Sequence, residues 1–225
     1  MSSFNAATIA EAKQISSLLK NKFHGDLDGK TCILEMKERK LNWKQMEWLG
    51  WYVEEMGRIQ LIQELGGSIG PAFGRTKFDY QRFNIWDIKV HTNNTTSGWC
   101  ILNDLKAIES IISDTGGIGF FIALADVEYD NSGQFKMWHD KLKGKISDYE
   151  KERVKRGAKS RRRKTSCHIS EWQCIFINDF EIFIDGMSDG WVSVFQKGMR
   201  NANGSPRREK IMINLHSLPS DILIE

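Results

Sequence analysis

Cysteine is scarce and scattered in this 225-residue chain: four residues, at positions 32, 100, 167 and 174, with no Cys-x-x-Cys pair. The five histidines do not complete a zinc-finger set either, which argues against a structural zinc site or a disulfide framework. Reduced thiols are expected. Cys167-His168 with Cys174 has ligand-type side chains, but buried strand positions are the reading taken, and no zinc is expected. Also missing are any run of about 18 apolar residues, the length a membrane span needs, and an apolar N-terminal stretch behind a basic flank. A soluble protein of the cell interior, without a membrane partner, is the expectation.

The chain is 40% hydrophobic and 27% charged, enough to build a core and unlike a disordered polypeptide. Its net charge of +3 conceals an asymmetry. Residues 141–164 hold twelve of the 32 Lys/Arg and three of the 29 Asp/Glu, so this segment carries +9 and the remainder −6. Concentrated cations release the counterions of a polyanion, giving affinity that falls steeply with salt and depends little on sequence. A nucleic-acid contact is expected there, with Lys159, Arg161, Arg162, Arg163 and Lys164 as its densest run. A second basic loop, 197–210, adds Arg200, Arg207 and Arg208, and the arginine fork matches O6 and N7 of guanine.

Apolar spacing predicts a helix over 6–22, with Ile9, Ala12, Ile15, Leu18 and Leu19 on one side. A longer helix is predicted over 42–65, capped by Asn42, striped by Trp43, Met46, Leu49, Val53 and Met56, and stopped by Gly66-Gly67. Glu47 and Glu54 share a second stripe on it, with Gly50 between them permitting close backbone approach. Residues 68–73 have no clear assignment. A hairpin follows, with a strand over 76–80 and a turn at 81–83, then a polar loop at 92–98. Asn103 is read as the cap of a helix over 104–113 that Gly116-Gly117 ends. The apolar run 118–126 reads as a strand covered on both faces, joined to the preceding strand by a parallel crossover. Residues 129–133 form a turn, and Trp138 and His139 stand at the entrance to the basic arm. Segments 168–177, 181–184 and 191–195 read as strands of a recognition or dimerisation extension. The expected organisation is residues 1–140 as N-terminal helices and core and 141–225 as basic arm and β-rich extension, together one compact unit.

The most informative stretch is Lys77-Phe-Asp-Tyr-Gln-Arg-Phe-Asn-Ile-Trp-Asp-Ile-Lys-Val-His91. Side chains alternate along a strand, so Asp87 and Lys89 project from one face and Trp86 and Ile88 from the other. Across the hairpin, Asp79 is able to lie opposite Asp87. Two acids and a lysine then converge, and magnesium prefers carboxylate oxygens together with waters and substrate phosphates.

Asp79 followed by Asp87-Ile88-Lys89 resembles the motif of the PD-(D/E)xK superfamily of nucleases, most closely type II restriction endonucleases, with Phe78 where the pattern usually has proline. The resemblance implies an α/β (α+β) fold with an αβββαβ core, whose mixed central sheet is flanked by helices. It further implies a Mg²⁺-dependent endonuclease that cuts double-stranded DNA at a short specific sequence and leaves 5′-phosphate and 3′-hydroxyl ends. Asp79, Asp87 and the Ile88 carbonyl would hold the metal, Mn²⁺ would substitute, and Ca²⁺ would support binding without cleavage. Lys89 would orient the attacking water or stabilise negative charge. Glu47, Glu54 and His91 are accessory candidates. A homodimer is expected because one site cuts one strand, and the setting implied is the cytoplasm of a prokaryotic cell. Two other readings stand beside this one: a related nuclease of repair, transposition or RNA processing, and a non-catalytic nucleic-acid-binding protein.

Overall fold

In chain order, the computed structural model contains helix α1 (Ala6–Lys22), strand β1 (Asp26–Asp28), helices α2 (Gly29–Glu38) and α3 (Trp48–Leu65), and strands β2 (Ala72–Phe73), β3 (Thr76–Lys77), β4 (Tyr80–Gln81), β5 (Ile85–Thr92) and β6 (Trp99–Asp104). Helix α4 (Leu105–Thr115), strand β7 (Ile118–Tyr129), helices α5 (Gln134–Lys143) and α6 (Asp148–Lys155), strand β8 (Lys164–Ile177), helix α7 (Glu181–Asp189) and strands β9 (Val192–Phe195) and β10 (Lys210–Asn214) follow. The structure describes residues 4–93, 97–144, 148–158, 160–201 and 204–224.

The central sheet is mixed, in the order β1-β8-β7-β5-β4. β5 and β7 run parallel, in register from Trp86 opposite Gly119 to Thr92 opposite Ala125, while the other pairs in this sheet are antiparallel. A second sheet, β6-β10-β9, is antiparallel, and β2-β3 is a separate hairpin. One apolar core lies on the face covered by α1, α2 and α3, with Leu19, Trp48, Trp86, Ile88 and Phe121 fully buried in it. The other contains Phe120 and Ile122 of β7, Ile108 and Ile111 of α4, Phe183 of α7 and Ile213 of β10. β7 is thus buried on both faces, which is why its sequence is a continuous apolar run.

Two glycines set the packing around β5. A Cβ on Gly119 would stand 2.0 Å from the Trp86 ring, so this glycine makes room for the indole across the parallel pair. A Cβ on Gly57 would stand 2.9 Å from Ile88 Cδ1, so α3 closes on β5 there. The close approach expected at Gly50 is corrected: nothing lies within 4 Å of a Cβ built on it.

Other differences have local causes. Helix α3 starts at Trp48 rather than at 42, and Asn42 is no cap; its carboxamide donates to Glu55 at 3.4 Å. The Trp48 indole N–H donates to the Lys164 carbonyl at 2.8 Å, tying the start of the helix to β8. Asp104, rather than Asn103, caps α4 by accepting the Ala107 N–H at 3.2 Å. Residues 181–184 are helical: Asp179 accepts the Glu181 N–H at 3.0 Å, and α7 buries Phe183. Helix α2, capped by Asp28 through Thr31, was not anticipated. The expectation of one compact unit agrees with the pairing of β8, from the segment beyond 140, with β7, from Ile118–Ile177 to Tyr129–Lys164. All four cysteines are free and buried. Among the described residues, no helix is long and apolar enough to cross a membrane.

Candidate active site

Strand β4 is short, pairing only Tyr80 with Trp86 and Gln81 with Ile85. Beyond that ladder the N–H of Ile88 needs another acceptor, and Asp79 supplies it: Oδ2 accepts this N–H at 2.7 Å. The carboxylate of Asp79 is thereby fixed beside the backbone that joins Asp87 to Lys89. Asp87 is 1% exposed and Asp79 7%. Lys89 Nζ is in direct contact with Asp87 Oδ2, lies 3.4 Å from the Ile88 carbonyl, and stands 3.9 Å from Glu54 Oε1 on α3. Asp87, the Ile88 carbonyl and Glu54 thus gather on the Lys89 ammonium, and Asp79 is joined to them through the Ile88 N–H.

Two carboxyls, Asp87 and Glu54, pair with one ammonium there, and Asp79 adds its field. Burial, and then the neighbouring Asp87 charge, raise the Asp79 pKa well above the ordinary carboxyl range. Burial pushes Glu54 up to about 7, with Lys89 opposing and Asp87 adding to the shift. Burial opposes the charge of Lys89, but Asp87, Glu54 and Asp79 together outweigh it and hold its pKa above the usual lysine value. Cys100 on β6 feels both Lys89 and Asp87, and burial dominates, raising its thiol to about 12.

The oxygens of Asp87, Ile88 and Glu54 surround a cation already, the Lys89 ammonium. Magnesium needs only one or two protein carboxylates when waters and phosphate oxygens complete its shell, and Asp79, Asp87 and the Ile88 carbonyl offer that donor set. Among the described residues, no three His, Cys, Asp or Glu side chains form a ready cage for an ion.

The remaining expected residues separate into groups. His91 lies on the same strand face as Asp87 and Lys89, half-buried, and burial followed by the nearby His216 lowers its pKa; His216 was not anticipated, being brought in by the chain after β10. Glu47 is far from this cluster in its contacts, being bound to Lys164 at 2.5 Å. Glu47, Tyr129, Arg161, Arg162 and Lys164 line a separate hollow, in which the Arg162 guanidinium stacks over the Tyr129 ring at 4.3 Å. Arg161 and Arg162 are exposed, but Arg163 is only 4% exposed, which removes it from the outward-facing cations as the structure stands. Local acids also engage the arm: Lys143 pairs with Asp140 at 3.6 Å and Arg153 with Glu150 at 2.7 Å. Trp138 packs on the core and His139 is fully buried, its Nε2 3.0 Å from the Trp43 carbonyl. These two anchor the arm instead of presenting rings to a base.

Arg200 bonds the Gly204 carbonyl at 2.8 Å. Arg207 and Arg208 line a groove with Arg75, Asp104 and Lys210; Lys210 belongs to the expected basic loop, whereas Arg75 and Asp104 were not singled out from the sequence. Lys159 lies outside the described residues. Compared with known proteins, the chain matches no family, no curated sequence and no solved structure.

Proposed function

We propose that this protein is a Mg²⁺-dependent endonuclease of the PD-(D/E)xK type, a type II restriction enzyme that hydrolyses both strands of duplex DNA at a short specific sequence as a homodimer. The observation that carries the reading is the Asp79 carboxylate on the N–H of Ile88, between Asp87 and Lys89. Asp79, in the bend between β3 and β4 where an unbroken strand over 76–80 was expected, is joined to Asp87-Ile88-Lys89 of β5 by this bond, at the cost of burying acids near one another. What supports the αβββαβ core is the order α3, a single bridge from Ser68 to Gln81, β4, β5, α4, and β7 parallel to β5, with the β2–β3 hairpin inserted before β4 and β6, of the second sheet, inserted between β5 and α4.

Asp79, Asp87 and the Ile88 carbonyl would hold the magnesium. When bound, it would supply polarisation of the scissile phosphate and acidification of a water. The side chains' own part follows from their charges. Lys89, held protonated by its three acidic neighbours, stabilises negative charge developing on the phosphate. Glu54, titrating near neutrality, is poised to take or return a proton at its carboxylate. The apolar packing of Trp86 and Ile88 behind the strand fixes the spacing of Asp87 and Lys89.

The test is incubation of the purified protein with phage DNA and Mg²⁺ against an EDTA control, followed by sequencing of fragment ends. Discrete fragments with 5′-phosphates are expected, with Mn²⁺ substituting and Ca²⁺ permitting binding alone. A ladderless smear would point to a nuclease without a site; intact DNA would remove the nuclease reading. One observation favours the second reading, a non-catalytic nucleic-acid-binding protein: Lys89 is already satisfied by Asp87, as a purely structural ion pair would be.

A further inference from the structure

A groove of about 530 Å³ lies between the turn of the β2–β3 hairpin and the chain leading into β10. Arg75 enters it from the hairpin, Arg207, Arg208 and Lys210 from the other side, and Asp104 from the junction of β6 and α4. Four cations thus face one acid. Gly74 lets Arg208 lie against the hairpin, since a Cβ there would meet Nη2 at 3.0 Å.

Asp104 is the unusual member. It is 7% exposed, and the helix cap uses its Oδ1. Its Oδ2 is buried and accepts no hydrogen bond; the nearest cation, Arg208 Nη1, is 3.6 Å away, beyond hydrogen-bond length. A buried carboxylate oxygen without a donor is costly. The backbone is also irregular at this point: Lys210 pairs with Asp104, but the register shifts before Met212 pairs with Ile101, and such bulges re-aim side chains beside functional sites. Arg208, with about half of its side chain exposed, is the cation paired with that oxygen.

We propose that this groove reads the DNA sequence, with Asp104 Oδ2 accepting a hydrogen bond from the exocyclic amine of a cytosine, and with Arg208 and Arg207 moving onto the adjoining guanine edge and phosphates. Carboxylates accept from cytosine N4 in the major groove, and arginine pairs with guanine O6 and N7. The inference rests on the nuclease reading for its ligand. It assigns base reading to this groove and leaves Arg161 and Arg162 as contacts to the phosphate backbone.

The experiment is enrichment of sites from a randomised duplex library by the full chain in Ca²⁺. The wild type should enrich a motif with a fixed cytosine. Asp104→Asn keeps a capping side chain of the same shape but replaces one acceptor by a donor, and it should lower the preference for that cytosine about tenfold or more while sparing the other positions. Arg207→Ala, at an exposed site, should relax one neighbouring position, and it carries the test if Asp104→Asn does not fold by circular dichroism. Arg161→Ala with Arg162→Ala should weaken all sequences alike. An unchanged motif in both groove variants, or an equal loss at every position, overturns the assignment. A parallel Mg²⁺ digestion separates the two claims: an Asp104-dependent motif without cleavage removes the nuclease and keeps the groove, whereas cleavage without an Asp104-dependent preference does the reverse.

Discussion

Trp86 and Ile88 on one face of β5 are separated by single residues from Asp87 and Lys89 on the other, yet the two faces solve opposite problems. The first is fully buried against α1, α3 and Phe121, with Gly119 and Gly57 cut away to admit the side chains. The second buries two carboxylates within reach of one ammonium and a third acid. Burying charge opposes folding unless geometry and partners offset it, so the apolar face must hold the strand while the charged face strains against it. The difference separates stability from chemistry along a strand of eight residues, and mutation should be able to take one without the other.

The largest effect is expected on the charged face. Asp87→Ala and Lys89→Ala should each lower Mg²⁺-dependent cleavage by about 10²–10³-fold, the loss usual for one group stabilising transition-state charge. DNA affinity in Ca²⁺ should stay within a few-fold for both. If cleavage persists in either variant, Asp87 and Lys89 are structural partners and the catalytic groups lie elsewhere in the chain. On the apolar face, Trp86→Ala should cost about 3–5 kcal/mol of stability, read as a lower urea midpoint. The double variant Asp87→Asn with Lys89→Met should cost much less, because it removes both charges of the buried pair and nearly keeps their volume. Equal losses in the two variants would erase the distinction between the faces.

This distinction was legible in the sequence because a strand repeats every two residues, so five consecutive letters decide which side chains share a face. The run that became β7 and the stripes of α1 and α3 were legible for the same reason: periodicity is local. What failed was set by other parts of the chain. Glu54 and not Glu47 reaches Lys89 because Gly57, rather than Gly50, is where α3 closes on β5. Residues 181–184 have the composition of a strand, and the Asp179 acceptor at their start together with packing of Phe183 into the second core decides for a helix. Asp104 was passed over because its neighbours in the groove come from residues 75 and 207–210, and no local pattern joins them. The β5 cluster was readable in its two nearby segments, and its helix contributor only as a choice between Glu47 and Glu54.

A smaller effect should appear in pH dependence, again differing between regions. Glu54 has a folded pKa near 7, above the ordinary carboxyl value of about 4.3, so the native state holds its proton more tightly than the unfolded chain. Its contribution to stability is fully present below about pH 4 and is lost as pH rises through 7. His139 does the opposite. Burial, then Lys143, lowers its pKa to about 4, so its contribution is present above about pH 6.5 and is lost as pH falls toward 4. Thermal midpoints between pH 4 and 8 should therefore respond to Glu54→Gln mainly above pH 5 and to His139→Gln mainly below 6.5. Identical profiles for the two variants would contradict both assignments.

The smallest effect concerns the arm, and it sharpens what the +9 segment contributes. Lys143, Arg153 and Lys164 are paired with acids and Arg163 is buried, so only part of the charge counted along the sequence faces outward. Arg161 and Arg162 do. Each phosphate contact contributes about 0.9 to the slope of log affinity against log salt, so replacing both with alanine should flatten that slope by up to about 2 in Ca²⁺ binding titrations. Arg163→Ala should leave the slope unchanged while lowering the melting temperature, because it empties a buried position. The reverse pattern, a flatter slope for Arg163→Ala and none for the exposed pair, would mean that the arm turns over when DNA binds and that its cations are counted from the wrong face.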